Sequence, residues 1–299
     1  MVSDDTEHTV MVAQSMGRWG GDVDRFLGDF GRRLRLWFAL IPAGIGRATL
    51  RACVRLWFGA DPRRSGVFSA GNGPVMRAPI IGVLAESVEG ILPFAKASTD
   101  VTHTDPKAYE GAVAVALAAH LAATGASIQP TFYLDALRQA LGGLGEELDE
   151  RLEKMVTSLG AGEGTEDFAK ALSLEKGISG YTNDTVPMVC HAWLSHQDDY
   201  KAAVEALIRC GGDADTTAAI VGGIIGARVG EDGIPKAWLQ GVRDWPMSIA
   251  WLRRLGQWLA TGEDEDRPPE VGILKQLLRN LGFFAIVWCH VLRRMLPPY

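Results

Sequence analysis

The sequence predicts an all-α protein, and three observations carry that prediction. Ala, Leu and Gly recur at helical spacing in GAVAVALAAHLAATG (111–125) and TTAAIVGGIIGARVG (216–230). Runs that alternate apolar and polar residues, the mark of half-buried strands, are scarce. Gly and Pro clusters punctuate the rest: FGADPRRSG (58–66), SAGNGPVMRAP (69–79), LGAGEGTEDF (159–168) and ATGEDEDRPPEVG (260–272). No tandem repeat appears at solenoid periods. A chain of 299 residues, 47% of them hydrophobic, has enough apolar surface to bury a substantial core.

Taken in order, the first element is a helix through Val10, Met11 and Ala13. Ser3 stands at its N-cap, and Asp4 and Asp5 project from its first turn. Between Arg32 and Arg64 the chain carries eight Arg against one acid, Asp61, with Trp37, Phe38, Trp57 and Phe58 interleaved. Two readings fit: an amphipathic helix pair with Arg stems along its surface, or a basic rim including Arg47, Arg51 and Arg55 that attracts an anionic substrate. The small-residue segments 111–125 and 216–230 follow as helices. Near the C-terminus LGFFAIVWCHVL (281–292) is too short for a membrane span of about 20 residues, and reads as a buried helix. The Pro- and acid-rich stretch before it divides a main domain, residues 1–260, from a helical tail, residues 261–299.

Composition narrows the function. A net charge of −6 and a pI near 5.6 argue against a nucleic-acid partner, since affinity for phosphate backbones rests on excess Lys and Arg. Cys53, Cys190, Cys210 and Cys289 form no CxxC pair and have no His at zinc-finger spacing, which leaves reduced thiols. With no apolar h-region at the N-terminus, a cytoplasmic setting is expected.

Two acidic clusters hold the chemistry. In CGGDADTTAAIVGGIIG (210–226) a Gly-Gly turn leads into a small-residue helix, and either Asp213 or Asp215 suits its N-cap. Capping needs one acid, however, and Asp213, Asp215 and Thr216 together offer three hard oxygens of the kind Mg²⁺, Mn²⁺ or Ca²⁺ prefers. The opening Ser3, Asp4 and Asp5 offer three more. Jointly the clusters suffice for a pair of hard cations.

Five blocks, in order, resemble the signature of the ADP-ribosylglycohydrolase family: SDDTEHTVMVAQSM, SAGNGPVMRAPIIGVL, STDVTHTDPKAYEGAVAVALA, SGYTNDTVP and GGDADTTAAIVGGIIGARVGEDGIPKAWL. That family includes dinitrogenase reductase-activating glycohydrolase and the ADP-ribosyl-acceptor hydrolases. The resemblance implies an orthogonal multi-helix fold and a centre of two Mg²⁺ or Mn²⁺ ions. Its ligands would be Ser3, Asp4, Asp5, Asp213, Asp215 and Thr216, with Asp4 and Asp5 also placed for catalysis. It further implies that Gly71, Asn72, Gly73 and Met76 line the ADP-ribose pocket, with His103 on the ligand side and Tyr181 on the adenosine side. His8, His120, His191, His196 and His290 have no such support and are expected to be structural or surface residues. The implied reaction is hydrolysis of the glycosidic bond between ADP-ribose and a protein, nucleic-acid or small-molecule acceptor.

The family pattern starts upstream with a helix carrying GD-x-x-G and a Glu, whereas this sequence starts at Met1. That helix is therefore expected to be lacking, and a non-catalytic ADP-ribose-binding or structural member of the fold is the alternative. A third reading, a membrane-associated scaffold without a membrane span, comes from the Trp/Arg-rich stretch 31–58 and the tail LRRMLPPY.

Overall fold

Small side chains dominate the centre of this protein. The computed structural model describes residues 2–262 and 267–295; part of the linker and the last four residues of the tail lie outside the described residues. In chain order the helices are α1 (Asp4–Trp19), α2 (Val23–Ala39), α3 (Arg47–Trp57), α4 (Gly73–Met76), α5 (Pro79–Leu84), α6 (Val88–Asp100), α7 (Pro106–Ala123) and α8 (Pro130–Leu141). They continue with α9 (Glu146–Gly160), α10 (Thr165–Ala171), α11 (Thr182–Ser195), α12 (Tyr200–Cys210), α13 (Ala214–Val229), α14 (Lys236–Gly241), α15 (Ile249–Thr261) and α16 (Ile273–Met295). Among the described residues there is no strand, and the all-α class expected from periodicity is what forms.

Helix α7 is the hub. Pro106 opens it, and Asp105 caps it by accepting from the Lys107 amide. Every residue from Gly111 to Ala119 is buried, so no polar face is needed. Its Ala-rich surface lets α4, α5, α6, α11 and α13 approach closely. At Gly82 of α5 the approach is extreme: an added Cβ would stand 1.8 Å from the Ala116 carbonyl oxygen. Beside α7, α13 buries Ile220, Val221, Ile224 and Ile225, and α11 buries Trp193 completely.

The Arg-rich segment does form an amphipathic helix pair, α2 and α3, but not every Arg stem lies on the surface. Arg33 is 6% exposed and bonds Asp29 at 2.7 Å, Gln14 at 2.6 Å and Glu270 at 3.0 Å. Arg55 donates to the Gly66 carbonyl at 2.5 Å.

The C-terminal helix corrects one expectation. Residues 281–292 lie in α16, but they are not buried: Leu281, Ile286, Trp288 and Leu292 are 47, 65, 64 and 55% exposed. The first half of α16 is fastened by Arg279, which bonds Glu7, and by Asn280, whose side chain donates to the Leu40 carbonyl at 2.7 Å. Hydropathy says that such a segment has surface to hide; it cannot say whether the chain's own core has room for it.

Gly82→Ala will destabilise the protein. The added methyl gains the roughly 1 kcal/mol by which Ala outranks Gly in a helix, but the clash is with backbone, and overpacking of this kind costs about 1–3 kcal/mol or more. Denaturant unfolding should show a lower midpoint, and an unchanged or higher one would contradict the close α5–α7 contact.

Candidate metal centre and ligand loop

Four loops far apart in sequence are laced together by isolated β-bridges: Val67 with His103, Gly71 with Tyr181, and Ile178 with Gly212. The Asn72 amide donates to the Gly180 carbonyl and the Thr182 amide to the Ala70 carbonyl, both at 2.9 Å. One step on, the Asp213 amide donates to the Ile178 carbonyl at 2.7 Å. This last contact explains the Gly-Gly turn. Gly212 has φ +78°, and a Cβ there would stand 2.1 Å from the Ile178 oxygen. The segment 178–182 thus joins the glycine loop to the start of α13.

At that start, Asp213 occupies the N-cap position but makes no side-chain cap bond. Its Oδ2 instead accepts from Asn72 Nδ2 at 2.7 Å, and the same Asn72 amide group donates to Thr185 Oγ1 at 3.1 Å. Ser3 behaves alike at the start of α1: it makes no cap bond, and its hydroxyl donates to Asp5 Oδ2 at 2.6 Å. Both candidate caps therefore spend their side chains on the site.

The two acidic clusters do come together. Asp5 is 2% exposed, and its carboxyl is pushed up by burial and by nearby Asp215, against the Ser3 and Thr216 hydroxyls, which hold it down. Asp4 is pushed up to about 7, first by burial, then by the negative charges of Asp5, Glu7 and Asp215. Thr216 is buried, Asp213 half-buried and Asp215 exposed. Helix N-termini favour negative charge, which fits carboxylates gathered at the starts of α1 and α13.

Among the described residues no three acidic, His or Cys side chains already converge as a coordination shell. The donor chemistry nevertheless suits a hard cation. Every candidate ligand presents oxygen, the carboxylates repel one another, and buried Asp5 Oδ1 has no hydrogen-bond partner. A divalent ion would answer all three.

Beneath the glycine loop sits His103, 3% exposed. A Cβ on Gly73 would stand 2.9 Å from its Cε1, and one on Gly71 would stand 3.3 Å from its Nε2. Burial and then the charge of Arg77 lower its pKa to about 3, so the ring is neutral. Thr102 Oγ1 lies 2.8 Å from its Nδ1 and accepts from Arg77 at 2.7 Å; Arg77 also bonds Ser98 and lies 3.1 Å from His8 Nδ1. His103 thus supports the loop from below. Of the loop's amides, Asn72 is bonded to Gly180 and Gly71 to Ser69 Oγ at 3.3 Å. The Gly73 amide opens α4, where no intrahelical acceptor exists.

The other predicted pocket residues separate. Tyr181 is half-buried; its hydroxyl donates to Glu147 and accepts from Lys107, both at 2.6 Å. Met76 is buried in the core and lines a cavity of about 440 Å³ with Asp5, Thr9, Pro79, Tyr200 and Leu255, a different space from the glycine loop's outer face. His8 and His191 are fully buried, as structural residues should be, His196 is half-buried and His290 is exposed.

Sequence reasoning missed what holds α1 in place. Glu7, 3% exposed, accepts from Trp37 Nε1 and from Arg279, both at 2.6 Å. Arg279 also bonds the Val2 carbonyl at 2.7 Å and Asp244 at 3.1 Å, and Asp244 accepts from the Val2 amide at 2.7 Å. The chain's first residues are thereby clamped from both sides. Phe68, 79% exposed beside the glycine loop, was also missed. Spacing along the chain carries no trace of partners 272 residues apart.

Comparisons with known proteins agree with one another. The family model described as ADP-ribosylglycohydrolase matches residues 1–269, ending before α16. An uncharacterized protein of Archaeoglobus fulgidus is 30% identical over 247 residues, covering 81% of this chain and 75% of that protein. Human ADP-ribosylhydrolase ARH3 is 29% identical over 210 residues, and the match covers 60% of this chain and 56% of the human protein. A solved structure titled ADP-ribosylglycohydrolase-related protein complex superposes with a TM-score of 0.62 at 26% identity, covering 81% of this chain and 76% of that one.

Two outcomes are expected from this geometry. Asp4 has a folded pKa above its unfolded value, so its contribution to stability is largest below about pH 4 and is lost as the pH rises towards 7. Without added cations, Asp4→Asn should therefore gain stability relative to the parent between about pH 4 and pH 7, as read from paired melting curves; parallel curves would exclude the carboxylate crowding. Arg279→Leu leaves Glu7 and Asp244 buried without their cation, and should cost roughly 3–5 kcal/mol in denaturant unfolding. A loss below 1 kcal/mol would mean the clamp is not buried as described.

Proposed function

This chain belongs to the ADP-ribosylglycohydrolase family, enzymes that hydrolyse glycosidic bonds, and on that premise we propose that it uses hard divalent cations between α1 and α13 to release ADP-ribose from an acceptor. The observation that carries this reading is the buried, unpartnered Asp5 Oδ1 amid carboxylates that repel one another. Ser3, Asp4, Asp5, Asp213, Asp215 and Thr216 would hold two ions, Mg²⁺ or Mn²⁺. When bound, these ions supply positive charge that fixes the hydroxyls of the distal ribose and acidifies water.

The chain's own residues set up the rest. An acidic cluster repels a diphosphate, so the phosphates belong on the loop side, against the open face of Gly71 and Gly73 and the Gly73 amide. Neutral His103 keeps that loop close-packed without adding charge. Asn72 ties the loop to Asp213, so nucleotide and ribose positions are set by one rigid unit. Tyr181, paired with Gly71 through the backbone, offers a ring on the adenosine side. Asp4 or Asp5 would accept a proton released at the reacting ribose. Exposed Arg47 and Arg51 lie on α3, whose Thr49 hydroxyl reaches within 3.7 Å of a Cβ on Gly73, which favours the basic-rim reading of that helix. Four free cysteines suit a reducing, cytoplasmic setting.

Release of ADP-ribose should be measured from arginine-, serine- and nucleic-acid-linked conjugates with Mg²⁺ present. The parent protein should release it from at least one, a chelator should abolish release, and Asp213→Ala and Asp215→Ala should each lose roughly 10²-fold or more. Equal rates in all three proteins would remove the metal assignment. Binding of ADP-ribose with no release from any conjugate would favour the non-catalytic alternative.

A further inference from the structure

Along α16, Leu274, Leu278, Leu281, Ala285, Trp288 and Leu292 recur at alternating steps of four and three, which places them on one stripe. Its five large members are 67, 53, 47, 64 and 55% exposed, in that order. Ile273 and Val291 widen the stripe and are exposed as well. Lys275 and Arg293 border the stripe on one flank, and His290 and Arg294 lie opposite it, all exposed. From Ile273 to Met295 there is no Asp or Glu, although the chain as a whole carries −6. Arg279 is the exception among the cations, because it is spent on Glu7 and Asp244.

We propose that α16 is an interfacial helix that lays this stripe on an anionic lipid bilayer. Spanning is excluded for the described helices, none of which is long and apolar enough to cross a membrane. The apolar run 281–292 would reach only about 18 Å at 1.5 Å per residue, against a hydrocarbon core of about 30 Å. A helix with a continuous apolar stripe, cations outside that stripe, no acid, and Trp, Phe and Leu in abundance is suited to lie in the headgroup plane. Trp288 is the side chain that favours this boundary, with an apolar ring and one N–H to keep wet.

A stripe with steps of four and three also suits pairing with a second copy of the helix, and charge decides against it. The positions flanking the stripe hold Lys275, Gly282 and Cys289 on one side and Leu277, Phe284 and Val291 on the other. Lys275 is the one charge among these flanks and no acid stands there to meet it, so pairing of two copies gains no ion pair and leaves Arg293 and Arg294 without counter-charge. Acidic headgroups supply the missing counter-charge. The first half of α16 stays bolted to α1 and α2, so a membrane contact by the second half tethers the whole domain at the surface.

Flotation of the full chain tests this. It should float with vesicles containing phosphatidylserine, remain behind with phosphatidylcholine alone, and release as salt rises. Leu281→Glu with Trp288→Glu, and separately Arg293→Glu with Arg294→Glu, should each lower partitioning roughly tenfold or more. All four side chains are exposed, so both variants should melt with the parent. No flotation with phosphatidylserine at low salt, or flotation undiminished by both variants, overturns the proposal. So does a lipid-free dimer in sedimentation velocity that Trp288→Glu dissociates while vesicles go unbound: the stripe would then be a helix–helix interface.

Discussion

Asp4, half-buried, and Asp5, buried, stand at the start of α1 beside Asp215, whose charge raises the proton affinity of both, and much of the architecture serves to tolerate that crowding. Like charges at short range cost energy that burial only increases. The chain offsets the cost in three ways. It gathers the acids at the starts of α1 and α13, where backbone N–H dipoles point towards them. It turns hydroxyls of Ser3 and Thr216 onto Asp5. It leaves one oxygen of Asp5 unpartnered, which is the opening the proposed cation would fill.

Such a cluster needs an outer frame that does not shift. The frame is built from opposite chemistry on its two sides. On the loop side, Arg77 is fully buried yet bonds only neutral groups, Ser98, Thr102 and His8, and lies over the Phe30 ring. Burial lowers its pKa to about 9 and, with Arg77's own charge, keeps His103 neutral. On the α1 side the frame is ionic: Glu7 and Asp244 converge on Arg279, and the peptide of Val2 is bonded at both ends. The residue that completes this frame lies beyond the family match, on a helix whose far half remains uncovered. One helix thus both clamps the start of α1, where Ser3, Asp4 and Asp5 stand, and presents an uncovered apolar surface.

Much of this was legible in the residues. The all-α class was announced by long segments rich in Ala, Leu and Gly and by the scarcity of alternating runs, and each acidic pair marked where carboxylates gather at a helix start. Two capping readings did not survive, since Ser3 and Asp213 turn their side chains inward to Asp5 and Asn72. A cap and a ligand share the same residue types at the same helix position, and only the neighbouring element decides between them.

What the sequence determined alone was local: which segments are helical, where the glycines must bend, and which side chains can offer oxygen to a cation. Tertiary structure decided the rest. It brought the starts of α1 and α13 together, set His103 beneath the glycine loop, closed Arg279 on Glu7 and left LGFFAIVWCHVL on the surface. The physical reason is that helix periodicity and side-chain chemistry are carried by neighbours within a turn or two, while repulsion, burial and ion pairing act between groups that only folding makes adjacent.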